Sequence, residues 1–134
     1  MRTIKFRGKI AELNLGCDKN VGDWVYGDLH LLSKIPHIHT NSRKYIIDTE
    51  TIGQFTGLQD KNGKEIYEGD ILVWGKSQPI IVIFKHGSFG YTYPEDWYHS
   101  FAENSNFTFN PLNTDIHFKV IGNIHDNPEL LKGE

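Results

Sequence analysis

The chain has 134 residues, of which 38% are hydrophobic and 23% charged, with a formal net charge of -3. This composition belongs to a folded chain of one-domain length with a modest core, and it excludes a disordered polymer. The slightly acidic balance argues against general polyanion binding, which needs a basic footprint, and a single cysteine, Cys17, excludes a disulfide within the chain.

Short strands separated by turn residues dominate the pattern. Ile4, Phe6, Gly8 and Ile10 alternate with Lys5, Arg7 and Lys9, predicting an opening strand with an apolar face and a cationic face. The polar CDKNVGDW turn leads into a second strand, DWVYGDLHLL, in which Gly27 suggests a bulge. Pro36 marks SKIPHIHTNSRK as an edge strand or a loop, and KYIID reads as a short strand. Further on, Asn62-Gly63 predicts a two-residue primed hairpin turn with positive φ at both positions. A second turn, Glu68-Gly69-Asp70, delivers the chain into ILVWG. PIIVIF is apolar on both faces and predicts the most buried strand.

Residues 85–114 are different. They hold Phe89, Tyr91, Tyr93, Trp97, Tyr98, Phe101, Phe107 and Phe109, yet lose regular alternation after Tyr93. A long loop or small subdomain is expected there, with a helical turn near PEDWYHSF. DIHFKVIGNI predicts a final strand, and DNPELL a short C-terminal helical turn, capped by Asp126 or Asn127, with Pro128 at its first position and Leu130 and Leu131 docking. The N-terminus lacks the apolar core of a signal peptide, and the longest apolar run, Ile80 to Phe84, falls far short of the roughly 20 residues that span a bilayer. A soluble, cytoplasmic protein is the expectation.

Several residue groups invite a chemical reading. His37 and His39 would share a strand face and, with His30, His117 or His125, would offer imidazoles to a metal; exposed loop histidines are the ordinary alternative. Cys17 has no designated base, so it reads as incidental rather than as a nucleophile. Glu65, Glu68 and Asp70 crowd one turn, where carboxylates serve acid–base work or simply build the turn; the second reading is preferred. Gly87-Ser88-Phe89-Gly90 lacks the spacing of a nucleophile elbow. No catalytic, metal or cofactor-binding set is therefore assigned. Lys5, Arg7 and Lys9, preceded by Arg2, form a stripe that would contact phosphates or lie solvated. Tyr91, Tyr93, Trp97, Tyr98 and Phe101 would form a partner surface, because Tyr and Trp give large contact areas at low entropic cost.

The segment TIGQFTGLQDKNGKEIYEGDIL resembles the YopX family, small proteins encoded by bacteriophages and prophages. IKFRGK, WVYGDL and VIGNIHDNPELL extend the resemblance to both ends, whereas residues 33–43 and 87–114 match no family pattern. The resemblance implies an all-β fold containing a small SH3-type barrel with additional strands, and it brings no reaction and no catalytic residues. The expectation is thus a single YopX-like domain over residues 1–134 with a variable, aromatic-rich insertion at about 86–113. It would act as a non-enzymatic binding module in the bacterial host cytoplasm, without a cofactor. Lys34 to Arg43 and His86 to Asn113 would be presented to a phage or host protein, or to a second copy of the chain through the open edges of a small barrel. Nucleic-acid binding through the basic strand is the alternative, and an uncharacterised enzyme using the carboxylates or histidines is the third.

Overall fold

The computed structural model describes residues 3–13, 18–41, 43–85, 87–94, 110–112 and 117–131. The backbone divides into two compact units, Met1–Phe55 and Thr56–Glu134. The described residues form strands joined by turns and one-turn 3-10 helices, so the all-β expectation holds.

The first unit is a closed four-strand barrel. Its strands are β1 (Phe6–Glu12), β2 (Trp24–Leu32), β3 (Ile35–His39) and β4 (Lys44–Ile47). β1 pairs antiparallel with the first half of β2, from Phe6 opposite Gly27 to Lys9 opposite Trp24. The second half of β2 pairs instead with β3, from Asp28 opposite His39 to Leu32 opposite Ile35. β3 pairs with β4, and β4 returns to β1 through Ile10–Ile47 and Glu12–Ile46, with an irregularity in β1 between those pairs. Gly27 lies where β2 changes partner. A side chain there would meet the carbonyl of His39, so close backbone approach explains this glycine. Ile10, Val25, Ile38, Tyr45 and Ile47 fill the interior, with Phe6, Leu29 and Ile52 packed around them.

The sequence reading of β3 needs correction. Ile35–His39 lies between β2 and β4 rather than at an edge. Pro36 is tolerated because its partner on β2 is Leu31, one step from the closing pair of a two-residue turn. There the backbone nitrogen faces away from β2, and pairing with β4 begins only at His37. That two-residue turn is Ser33-Lys34, with φ of 53° and 70°. It is the primed turn expected at Asn62-Gly63.

β5 (Gly53–Gln59) follows a one-turn helix at Thr49–Thr51, whose N-cap Asp48 accepts a bond from Glu50 N–H. Gly53 and Gln54 pair with Arg7 and Phe6.

The second unit takes the chain on from Thr56. It contains β6 (Glu65–Tyr67), β7 (Asp70–Val73), β8 (Ile80–Lys85), β9 (Ser88–Thr92), β10 (Asn110–Pro111) and β11 (Lys119–Asn123). The sheet order is β10-β9-β8-β7-β11, all neighbours antiparallel. As expected, the residues Ile80 to Ile83 are all buried. Ile66, Leu72, Ile80, Val82 and Val120 form the core, with Leu58, Tyr91, Tyr93, Leu112 and Phe118 against it.

The turn after β5 also differs from expectation. Only Gly63 has positive φ (84°), while Asn62 does not. Asp60 organises the turn instead: its Oδ1 accepts the N–H groups of Asn62 (2.8 Å) and Lys64 (2.9 Å). Its Oδ2 accepts the N–H of Val120 on β11 at 2.9 Å, so one carboxylate ties the turn to a strand 60 residues away. At the β6–β7 turn, Gly69 has φ of 93° and Asp70 Oδ2 accepts Tyr67 N–H at 2.8 Å. The C-terminal helical turn expected from DNPELL is the 3-10 helix Pro128–Leu131, where Leu130 N–H bonds to the Asn127 carbonyl. The helical turn expected at PEDWYHSF falls largely outside the described residues.

Candidate functional site

A cleft of about 480 Å³ opens at one end of the second unit's sheet. Strand register builds it. Lys119 opposes Val73, so the next step places Phe118 across from Trp74, at the end of β7. Val82 opposes Tyr91 and Ile81 opposes Thr92, which brings Ile80 across from Tyr93. Pro111 and Leu112 enter beside β9, and Ser77 and Gln78 close the β7–β8 connection. Ser77 fixes that connection by donating from Oγ to the Trp74 carbonyl at 2.6 Å and accepting Trp74 N–H at 3.3 Å.

The rings make a continuous series. Trp74 stacks on His117 at 5.4 Å between centroids and meets Phe118 edge-on at 6.1 Å. Phe118 meets Tyr91 at 5.6 Å, and Tyr91 meets Tyr93 at 6.3 Å, both edge to face. These are the offset geometries that aromatic quadrupoles favour. Burial, followed by charge repulsion from Tyr93, raises the Tyr91 phenol above its ordinary pKa. Trp74 is 58% exposed, so the indole has much of its surface open to solvent. Among the described lining residues there is no Asp, Glu, Lys or Arg.

Two of the five residues expected to form a partner surface, Tyr91 and Tyr93, line this cleft; Trp97, Tyr98 and Phe101 lie outside the described residues. Trp74 and Phe118 were not singled out as a site, and His117 was named only among the metal-ligand candidates. Each looks like an ordinary strand-end residue in sequence, and only the β7–β11 register unites them with the tyrosines.

The cationic stripe does not form the open face expected of it. Arg7 is 6% exposed, with its guanidinium 4.7 Å from the centre of the Trp24 ring. Lys9 Nζ lies 5.4 Å from the same ring, and Lys5 Nζ 5.3 Å from the ring of Phe55. These cation–π contacts set the charged heads over aromatic rings.

His37 and His39 sit on β3 rather than in a loop. His30 stacks on His39 at 4.0 Å, and His37 meets His39 at 6.5 Å. Burial lowers the pKa of His39, followed by repulsion from His30, Lys44 and His37, against a weaker opposing effect of Asp28. No metal-holding group of three or more His, Cys, Asp or Glu occurs among the described residues. His117 and His125 belong to the second unit. The Glu65 carboxylate accepts the Tyr67 hydroxyl at 3.0 Å, and Asp70 is buried with Tyr67 N–H bound to it. Cys17 lies outside the described residues.

The YopX protein family model matches residues 15–132. The chain belongs to the YopX family. Among solved structures, the crystal structure of protein EF1440 from Enterococcus faecalis is similar, with 27% sequence identity and a TM-score of 0.50. That match covers 98% of this chain and 100% of the other. No curated protein matches the chain. YopX membership agrees with the resemblance read from the DKNGKEIYEGD segment. The signature residues in that segment serve the fold: Asp60 pins a turn, Gly63 and Gly69 supply positive φ, and Asp70 holds the backbone of Tyr67.

Proposed function

We propose that this YopX-family chain is a phage- or prophage-encoded, non-enzymatic binding module that works in the host cytoplasm by engaging a protein. The aromatic cleft of the second unit is its contact surface. The observation carrying this reading is the ring series from His117 to Tyr93, built by three separate stretches of chain and left open at Trp74. An exposed Trp beside half-buried Tyr rings, around a concave lining with no Asp, Glu, Lys or Arg among its described residues, is a setting that binding hot spots use. Family membership supports the phage setting. The engagement of Asp70 and Glu65 in holding their own turn supports a non-enzymatic role.

Affinity capture from infected host cells, comparing wild type with Trp74→Ala, tests the reading. A specific protein retained by wild type and lost with the variant is expected. Equal capture by both would end the assignment of the cleft. Self-association through the same surface would appear as a concentration-dependent sedimentation coefficient that Trp74→Ala abolishes. Strand pairing between copies, the other route expected, would use the end strands β10 and β11 of the second unit's sheet.

A further inference from the structure

We infer that the outer face of the four-strand barrel carries an acid-sensitive latch, in which the imidazoles of His30, His37 and His39 hold the β2–β3 arm closed while neutral and loosen it when charged. The latch lies in the first unit and is independent of the aromatic cleft. Strand register builds it. Asp28 opposes His39 and His30 opposes His37, while Leu29 and Ile38, the pair between them, turn into the core. On the other side of β3, Lys44 opposes His39 and Ile46 opposes His37. Alternation therefore sends Asp28, His30, His37, His39 and Lys44 to one face across three strands. The His30 and His39 rings stack at 4.0 Å with 17° between their planes, and the His37 ring stands edge-on to His39 at 6.5 Å. His37 is fixed by donating from Nδ1 to the Ile35 carbonyl at 2.9 Å. Neutral rings tolerate this geometry, but imidazolium charges so close repel one another. His39 Nε2 is buried with no hydrogen-bond partner among the described residues, so a proton added there finds no acceptor.

The surrounding charges act in the same direction. Burial is the largest influence against protonating His39; His30, Lys44 and His37 add to it, and Asp28 opposes them. The next titratable groups along, Tyr26 on β2 and Arg43 in the β3–β4 turn, supply no further carboxylate. The repulsion falls where the sheet is held least. β2 is bonded to β1 only as far as Gly27, and from Asp28 to Leu32 its described pairing is with β3 alone. β4 pairs with β3 only from His37 onward. Charging the cluster therefore opposes the one described ladder that holds the arm.

The test is amide hydrogen exchange of the full chain, read by NMR between about pH 7.5 and about pH 5 and expressed as protection relative to the intrinsic rate at each pH. Protection of the ladder amides in Asp28–Leu32 and Ile35–His39 should fall about tenfold or more on acidification, while that of the β7 and β8 amides changes by less than about threefold. His30→Asn replaces an exposed side chain, so the fold is kept, and it should remove most of the loss. Two further variants carry opposite signs. Lys44→Gln takes away a repelling cation and should lessen the loss; Asp28→Asn takes away the attracting carboxylate and should deepen it. A merely structural contribution of these side chains would change protection equally at both ends of the pH range. An unchanged arm, an equal fall in the arm and in β7 and β8, an undiminished fall in His30→Asn, or changes of the same sign from Lys44→Gln and Asp28→Asn would each overturn the inference.

Discussion

Asp60 offers the sharpest test of how the second unit is held together. Its carboxylate is 7% exposed and accepts three backbone N–H groups, two from its own turn and one from Val120 on β11. Burial alone would raise its pKa, but the bonds from Val120, Lys64 and Asn62, with the Lys64 charge, hold it below the usual carboxylate value. A hydrogen bond to a charged group contributes about 1.5–3 kcal/mol, and orphaned buried donors carry a comparable penalty, without simple additivity. Asp60→Ala should therefore cost about 3–5 kcal/mol, lowering Tm by roughly 10–20 °C. Asp60→Asn keeps one acceptor oxygen. If that oxygen serves Asn62 and Lys64, the amide NH2 confronts the N–H of Val120, for a loss of about 2–3 kcal/mol. Differential scanning calorimetry measures the total, and amide exchange at Val120 locates it. The folded pKa is depressed, so this stabilisation is complete above about pH 4 and is lost as pH falls through the folded value. Asp60→Ala melting within about 2 °C of wild type would refute the reasoning, because that is the behaviour of an ordinary surface substitution.

Three further outcomes are expected. Gly63→Val should lose about 1–3 kcal/mol, because Gly63 sits at φ of 84° where a β-branched residue is strained, whereas Glu68→Gln should leave Tm almost unchanged; reversed ranking in thermal melts would contradict the scaffold role of this turn. Replacing Ser33-Lys34 by Asn-Gly should raise stability by about 1–2 kcal/mol, since both residues hold positive φ; urea denaturation checks this, and an unchanged midpoint would count against it. The folded pKa of His39 is lowered, so its contribution to stability is complete above the unfolded value near 6.5 and is lost as pH drops through that value toward the folded one. His30→Asn should weaken this acid sensitivity by removing a neighbouring imidazole; NMR titration of His39 in both proteins measures it, and superimposable curves would exclude the coupling.

Much of the fold was legible because local chemistry and long-range pairing agree. Strand β8 announced itself by four consecutive buried aliphatic residues, and β2 by its Trp, Val, Tyr and Leu content. The failures have physical causes. Neither serine nor lysine advertises positive φ, so the Ser33-Lys34 turn was hidden, and Pro36 obscured a strand because its unpaired nitrogen happens to fall where no partner strand lies. At Asn62-Gly63 the turn was recognised but its type was not, since the acceptor role of Asp60 depends on Val120 arriving from far along the chain. Alternation in β1 assigned Arg7 to solvent, but an indole from β2 covers it. The tyrosines of the cleft stood out in their aromatic segment, while Trp74 and Phe118 acquire meaning only through the pairing of β7 with β11.

Strand β1 is bonded to β2 along one side and to β4 and the start of β5 along the other. Its backbone therefore cannot be fully bonded until the chain as far as Gln54 is in place. Until then its backbone groups must remain hydrated or be held by a chaperone. Because these partners all lie within the first unit, the ring can shut without waiting for the strands of the second.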